Sequence, residues 1–166
     1  SWAPSLIAIW NEEYGDSFPM RDVLFEQNSI KDRNIHWPGS FIAVSEQGEA
    51  IGYIITKVWQ EDMSLYKDIG WINCLLVKKE YRSQGIGTLL LHKAEVKLKE
   101  AGIKKLFIGR DPWHYFPGIP VENQSGKRWA VKQGFESQGK DYDMLRYFQD
   151  GTPIDYPTFT EYEFMT

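Results

Sequence analysis

The chain has 166 residues, with 19 Lys and Arg against 23 Asp and Glu and a net charge of −4. This length suits one compact domain that can bury its own core, and the acidic balance excludes a nucleic-acid binder that relies on a general basic surface. The single cysteine, Cys74, excludes an internal disulfide and a multi-cysteine metal site and points to a reducing, cytoplasmic compartment, while no apolar run approaches the roughly 20 residues a membrane span needs.

The first element is a helix over Ser5 to Tyr14, with Leu6, Ile9 and Trp10 on one side. Pro19 is placed to open a second short helix reaching about Gln27, because proline suits a first turn. Ile30 to Ser40 reads as a loop, punctuated by Pro38-Gly39. Phe41 to Val44 and Ala50 to Trp59 are two strands around the turn Glu46 to Glu49, together a hairpin. Trp71 to Val77 is a third strand whose near-continuous apolar run predicts burial on both faces. The period then changes: Ile86, Leu90, Ala94, Leu98 and Ala101 mark an amphipathic helix stopped by Gly102. Ile103 to Ile108 is the next strand, Arg110 to Glu122 an aromatic, proline-rich loop, and Ser125 to Lys132 a short helix closed by Gly134. Phe135 onward, with Met144 to Phe148, is expected to supply one or two last strands. The strand–helix–strand unit from Trp71 to Ile108 requires a right-handed crossover. The fold class is therefore α/β (α+β), with a central mixed sheet and helices on both faces. Residues 1–148 form the domain, and residues 149–166 a C-terminal strand or tail, or a lead into a further domain.

The segment richest in chemistry is Arg82-Ser83-Gln84-Gly85-Ile86-Gly87-Thr88. A buried strand runs into a glycine-bearing turn, and the turn starts a long helix. The first amides of a helix have no internal partner, the helix dipole adds positive charge there, and glycine lets an anion approach the backbone. Walker A does not fit, since no Lys-Ser or Lys-Thr follows the glycines, and Leu90 stands where the dinucleotide fingerprint needs its third small residue. The turn resembles motif A of the GNAT (GCN5-related N-acetyltransferase) superfamily, R/Q-x-x-G-x-G/A, with Arg82, Gly85 and Gly87 at the motif positions and Ser83 where a glycine is often found. Asn123, eleven residues before Gly134-Phe135, is similar to a second family feature, and the hairpin from Phe41 to Thr56 resembles the family's central meander.

That resemblance implies a mostly antiparallel, twisted sheet in which two parallel strands, here Trp71–Val77 and Ile103–Ile108, splay to admit acetyl-CoA. Backbone groups of Leu75, Leu76 and Val77 would meet the pantetheine arm, amides of the Arg82 to Thr88 turn would hold the pyrophosphate, and Asn123 would steady the pantetheine or the adjoining loop. The implied reaction is direct attack by a primary amine on the thioester, with a backbone N–H of Val77 or Leu76 facing the developing oxyanion. Many relatives carry a tyrosine four residues before the Gly-Phe glycine as acid for the departing thiolate; Ala130 stands there in this chain.

The loop Asp111-Pro112-Trp113-His114-Tyr115-Phe116 packs four aromatic or imidazole side chains in succession. Asp111, His114 and Tyr115 are candidates for proton transfer at an acceptor pocket, and the alternative is that Trp113 and Phe116 merely cover the sheet edge. The resemblance implies N-terminal helices that cap the acceptor site, where Trp10, Tyr14, Phe18 and Phe25 could contribute, although such stripes are more often core; Cys74, in mid-strand, reads as a buried inert thiol. No metal is expected, since His36, His92 and His114 fall in unrelated elements. The partners expected are a small-molecule or peptide amine acceptor and, for a homodimer rather than a monomer, a second copy, with neither nucleic acid nor membrane. A non-catalytic acetyl-CoA-binding sensor or scaffold is the alternative to an enzyme.

Overall fold

A computed structural model of the chain describes residues 1–61, 65–142, 144 and 145. The sheet has four strands in the order β1-β2-β3-β4. Strands β1 (Phe41–Val44), β2 (Ala50–Val58) and β3 (Ile69–Val77) pair antiparallel in succession. Strand β4 (Lys105–Ile108) pairs parallel to β3 after the crossover helix α3 (Ile86–Glu100). The mixed sheet with helices on both faces is thus present, including the parallel pair.

Helix α1 (Ala3–Tyr14) begins two residues ahead of the predicted start because Pro4 suits the first turn. It buries Leu6, Ile9 and Trp10 against one face of the sheet, in a cluster with Phe25, Tyr53, Cys74 and Leu76. Each such aliphatic or aromatic side chain contributes about 1.5–3 kcal/mol by leaving water. The opposite face packs Ile54, Ile72 and Val77 on Leu90, Leu91 and Ala94 of α3, the stripe that the period-four pattern marked.

Pro19 does not open the second helix. Asn11 pins the stretch that follows it, accepting from Met20 N–H at 2.7 Å and donating to Met20 O at 3.1 Å. Arg21 is extended, and helix α2 (Asp22–Phe25) begins only after it, continuing as one wide turn over Glu26–Ile30. Strand β4 starts at Lys105 rather than Ile103, because Ile103 N–H closes the end of α3 on Leu98 O and Lys104 N–H bonds Asp68 O. Helix α4 (Gln124–Lys132) lies where the short helix was predicted. The last strand expected from Phe135 onward does not form over residues 135–142: Glu136-Ser137-Gln138-Gly139-Lys140-Asp141 is polar and exposed, with no alternating apolar face to bury. Residues 146–166, with the rest of that strand and the C-terminal tail, lie outside the described residues.

Two irregularities position the site. Ile55 pairs with Cys74 but Thr56 pairs with Ile72, so Asn73 is an extra residue, a β-bulge. It reverses the facing of the strand: Ile72 packs towards α3 while Cys74 packs towards α1, although residues two apart in a regular strand share a face. The second irregularity is the end of the parallel pairing. The last β3–β4 partners are Ile72 and Ile108, followed by Gly109 N–H to Ile72 O at 2.9 Å. From Asn73 to Val77, β3 runs on with an open edge of about 16 Å at 3.3 Å per residue.

Candidate active site

The open edge of β3 leads into the glycine turn. Lys79–Tyr81 forms one tight helical turn, Arg82 is extended, Ser83 and Gly85 adopt left-handed φ values of 62° and 83°, and α3 starts at Ile86. Leu89 N–H to Gly85 O (2.9 Å) is the first backbone bond of that helix, so the amides of Ile86, Gly87 and Thr88 are free of intrahelical partners. A Cβ built on Gly87 would stand 3.7 Å from Leu75, 3.8 Å from Val77 and 3.9 Å from Trp129, in the angle between the strand and α4. The absent side chain keeps that angle open.

Arg82 is more than a charge beside the turn. Its Nε donates to Val77 O at 2.8 Å and its Nη2 meets Glu13 Oε2 of α1 at 2.8 Å. The guanidinium staples the turn to the end of β3 and to α1. Gln84 turns its side chain back to Glu80 O. Backbone alternation settles which groups of β3 face the opening. Lys78 N–H bonds Ile51 O of the neighbouring strand, so Leu76 points its N–H and C=O towards β2, and Leu75 and Val77 point theirs to the open edge. The Leu76 N–H therefore does not face the cleft.

A cleft of about 630 Å³ occupies the gap. Leu75, Leu76, Val77, Arg82, Ser83, Gly85, Ile86, Gly87, Thr88 and Asn123 all line it, and of the predicted cofactor residues only Gln84 stands back. Arg128 and Lys132 of α4 add positive charge that the sequence reading did not single out. Asn123 caps α4, its Oδ1 accepting from Gly126 N–H at 2.8 Å, while its Nδ2 donates to the Tyr14 hydroxyl at 2.7 Å. Trp129 Nε1 donates to Thr88 Oγ1 at 3.3 Å, tying α4 to α3. Trp10, Tyr14 and Phe116 form an aromatic wall, with Trp10 and Phe116 stacked at 5.4 Å and 17°. Burial raises the Tyr14 phenol above its ordinary value, and the bond from Asn123 opposes that shift.

Of the three proton-transfer candidates only Tyr115 touches this wall, its ring packing behind Trp10 with centroids 5.0 Å apart. Gly109 and Arg110, both left-handed at φ 70° and 62°, turn the chain sharply after β4. A Cβ on Gly109 would stand 2.4 Å from Phe116 O, so only glycine fits the pivot. The pivot drives Asp111 into the interior, where it is fully buried. There Asp111 Oδ1 and Asp32 Oδ2 each lie 2.6 Å from Lys57 Nζ, with all three side chains at most 1% exposed. Asn73 Nδ2 donates to Asp111 Oδ2 at 3.2 Å, and Ser29 Oγ donates to Asn73 Oδ1 at 3.3 Å. Tyr115 is buried on the same network, its hydroxyl 2.7 Å from Ser29 Oγ and its phenol pushed well up by burial. His114 is exposed, its Nδ1 2.6 Å from Asp111 O. None of the three lines the cleft; the Asp111 network instead supports Asn73, the bulge residue at the point where the strands part. Lys57 and Asp32 carried no sequence signal, because their pairing joins distant segments. Cys74 is buried, and desolvation pushes its thiol up to about 12.

Among the described residues no cluster of three or more His, Cys, Asp or Glu side chains could hold a metal ion, and no described helix is long and apolar enough to cross a membrane. The sequence matches the model of the acetyltransferase (GNAT) family over residues 3–116. It is 26% identical over 146 residues to the spermidine N(1)-acetyltransferase of Thermoplasma acidophilum, covering 82% of this chain and 86% of that one. The fold superposes on a putative acetyl transferase from Pyrococcus furiosus with a TM-score of 0.66 at 22% identity, over 87% of this chain and 94% of that chain. It also superposes on the glucosamine N-acetyltransferase region of a fungal multi-domain GH3 beta-N-acetylglucosaminidase, with a TM-score of 0.67 at 22% identity. That match covers 81% of this chain and spans only 15% of the fungal one.

Proposed function

The chain belongs to the acetyltransferase (GNAT) family, and from that premise we propose that it moves an acetyl group from acetyl-CoA to a primary amine by direct attack within a ternary complex. The observation that carries this reading is the continuity of the cleft, whose open β3 edge ends at free helix-start amides on one side and at the bulge of Asn73 on the other.

The residues present fit the cosubstrate. The amides of Gly85, Ile86, Gly87 and Thr88, with that of Ser83 in the turn, suit a pyrophosphate. Arg128 and Lys132 supply the local positive charge that the acidic chain otherwise lacks. Leu75 and Val77 offer backbone groups to the amide arm as a neighbouring strand would, except that Val77 O is already engaged by Arg82. The Leu75 N–H, nearest the parting of the strands, is the donor best placed for the negative charge that develops on the carbonyl oxygen. Holding both reactants in one cleft supplies much of the acceleration. Asp111 and Tyr115 serve the site by fixing Asn73 and the loop, and His114 braces that loop from outside.

The acceptor class follows by likeness. The curated relative is named for spermidine and the fungal region for glucosamine, so a polyamine and an amino sugar head the list of amines to test. Isothermal titration with acetyl-CoA tests the site: the native chain binds and Gly87→Glu, which places a carboxylate against the pyrophosphate, does not. Thiol release in the presence of spermidine, glucosamine or a peptide with a free amino terminus then tests transfer. No binding at millimolar acetyl-CoA would sink the proposal. A second reading, a non-catalytic acetyl-CoA-binding module, draws support from Ala130, which has no proton to give. Binding without thiol release with any amine would establish it.

A further inference from the structure

Tyr14 is the last residue of α1 and lines the cleft. The polarity of its hydrogen bond is fixed by its neighbours. Asn123 Oδ1 accepts from Gly126 N–H at 2.8 Å and from the Ser125 hydroxyl at 3.1 Å. The Nδ2 end of that amide is therefore the one that meets Tyr14 Oη, at 2.7 Å. An amide nitrogen only donates, so the Tyr14 oxygen accepts, and its own O–H proton has no partner among the described residues. The ring cannot swing away, since Trp10 and Phe116 pack on it with centroids 5.3 Å distant.

Other polar groups near the parting of the strands are committed or unsuited. Asn73 is held by Asp111 and Ser29. The Cys74 thiol is buried in the core cluster. Ala130, the α4 residue at the usual acid position, is buried and carries no polar side-chain atom. Tyr14 packs in the same cluster as Cys74 and Leu76, the part of β3 just past the bulge.

We propose that Tyr14 is the proton donor of the transfer, its O–H first hydrogen-bonding and then protonating the coenzyme A sulfur as it departs. This rests on the reading of the chain as an acetyl-CoA-dependent acetyltransferase. The amine nitrogen forms the N–C bond, and the C–S bond breaks with its electron pair passing to sulfur. Sulfur takes the Tyr14 proton, and the acetylated nitrogen sheds a proton that restores Tyr14, directly or through water. The Asn123 donor stabilises the phenolate in the interval, because a hydrogen bond to the charged form favours it.

Tyr14→Phe removes the hydroxyl and keeps the ring. In the variant, acetyl-CoA affinity by isothermal titration stays within about threefold and turnover falls at least about 100-fold, the lower end for positioned proton transfer. The deficit shrinks with an acetyl aryl thioester, whose thiol is more acidic and leaves without help. A second readout needs no acceptor: thiolate absorbance of bound coenzyme A, followed against pH, shows a lower thiol pKa in the native complex than in Tyr14→Phe. Equal titrations in the two proteins, or a deficit of the same size for every leaving group, would overturn the assignment while leaving the acetyltransferase reading intact. Failure of the native chain to bind acetyl-CoA overturns both.

Discussion

Replacing Lys57 by methionine tests whether the buried network below the bulge is held by charge. The substitution keeps most of the stem volume and removes the ammonium. Lys57 Nζ lies 2.6 Å from Asp32 Oδ2 and 2.6 Å from Asp111 Oδ1, so those two oxygens stand no more than about 5 Å apart. At an effective dielectric of about 20, two carboxylates at that separation repel by about 3 kcal/mol. Asp32 Oδ2 has no hydrogen-bonding partner beyond the ion pair, and both carboxylates are out of reach of water. Removing one member of such a buried pair costs about 3–5 kcal/mol, a large part of the roughly 5–15 kcal/mol that holds a domain folded. Urea denaturation of Lys57→Met should show this loss. The triple variant Lys57→Met, Asp32→Asn, Asp111→Asn, which removes the stranded charges as well, should recover at least about half of it, because the penalty lies in uncompensated charge rather than in lost packing. A loss under about 1 kcal/mol, or a triple variant no more stable than the single one, would refute the reasoning.

Gly87→Ala should raise stability by about 0.5–1 kcal/mol in thermal or urea unfolding, because its Cβ meets only ordinary contacts and the residue is helical; a destabilised protein would show that the position is strained. With a thiol pKa of about 12, Cys74 should resist a disulfide reagent at pH 8 in the folded chain and react in full in urea. The same shift predicts stability that is fully present below pH 9, the ordinary thiol value, and lost as pH rises from 9 towards 12; Cys74→Ala should flatten part of that decline. His36 is shifted the opposite way, lowered from 6.5 by burial, with an unpartnered buried Nε2. Protonation then favours the unfolded chain, so stability should fall as pH drops below 6.5, and His36→Gln should reduce the slope of the urea midpoint against pH.

The parts of the site that were legible in the sequence are those built from neighbours in the chain. The turn from Arg82 to Thr88 joins an apolar strand to a helix with a clear four-residue stripe, and each of these is a local pattern. The cap residue Asn123 likewise works through Gly126, three residues on. What the sequence did not reveal depends on contacts between distant segments. Lys57 looked like a polar residue in a strand, yet its carboxylate partners sit on a loop before the sheet and on one after it. The bulge at Asn73 is invisible in an apolar run, because one extra residue reverses the facing without changing composition. Asp111, His114 and Tyr115 have the right chemistry for proton transfer, but the left-handed pair Gly109-Arg110 turns the start of the loop inward and leaves only Phe116 of that aromatic run on the cleft wall.

Tyr14 shows the same limit from the other side. An aromatic at a helix end, on the same side as Trp10, is core by every local rule, and its ring does pack on Trp10 and Phe116. Its function turns on one atom whose partner is 109 residues away. One residue earlier, Glu13 holds Arg82 of the glycine turn. The final turn of α1 therefore reaches the Arg82 turn through one side chain and the cap of α4 through the next. A helix that packs its other side into the core is rigid enough to keep those two points at a fixed separation. Two cleft-lining residues, Arg82 and Asn123, are thus tied to α1, an element outside the strand–turn–helix motif that marks the site in the sequence.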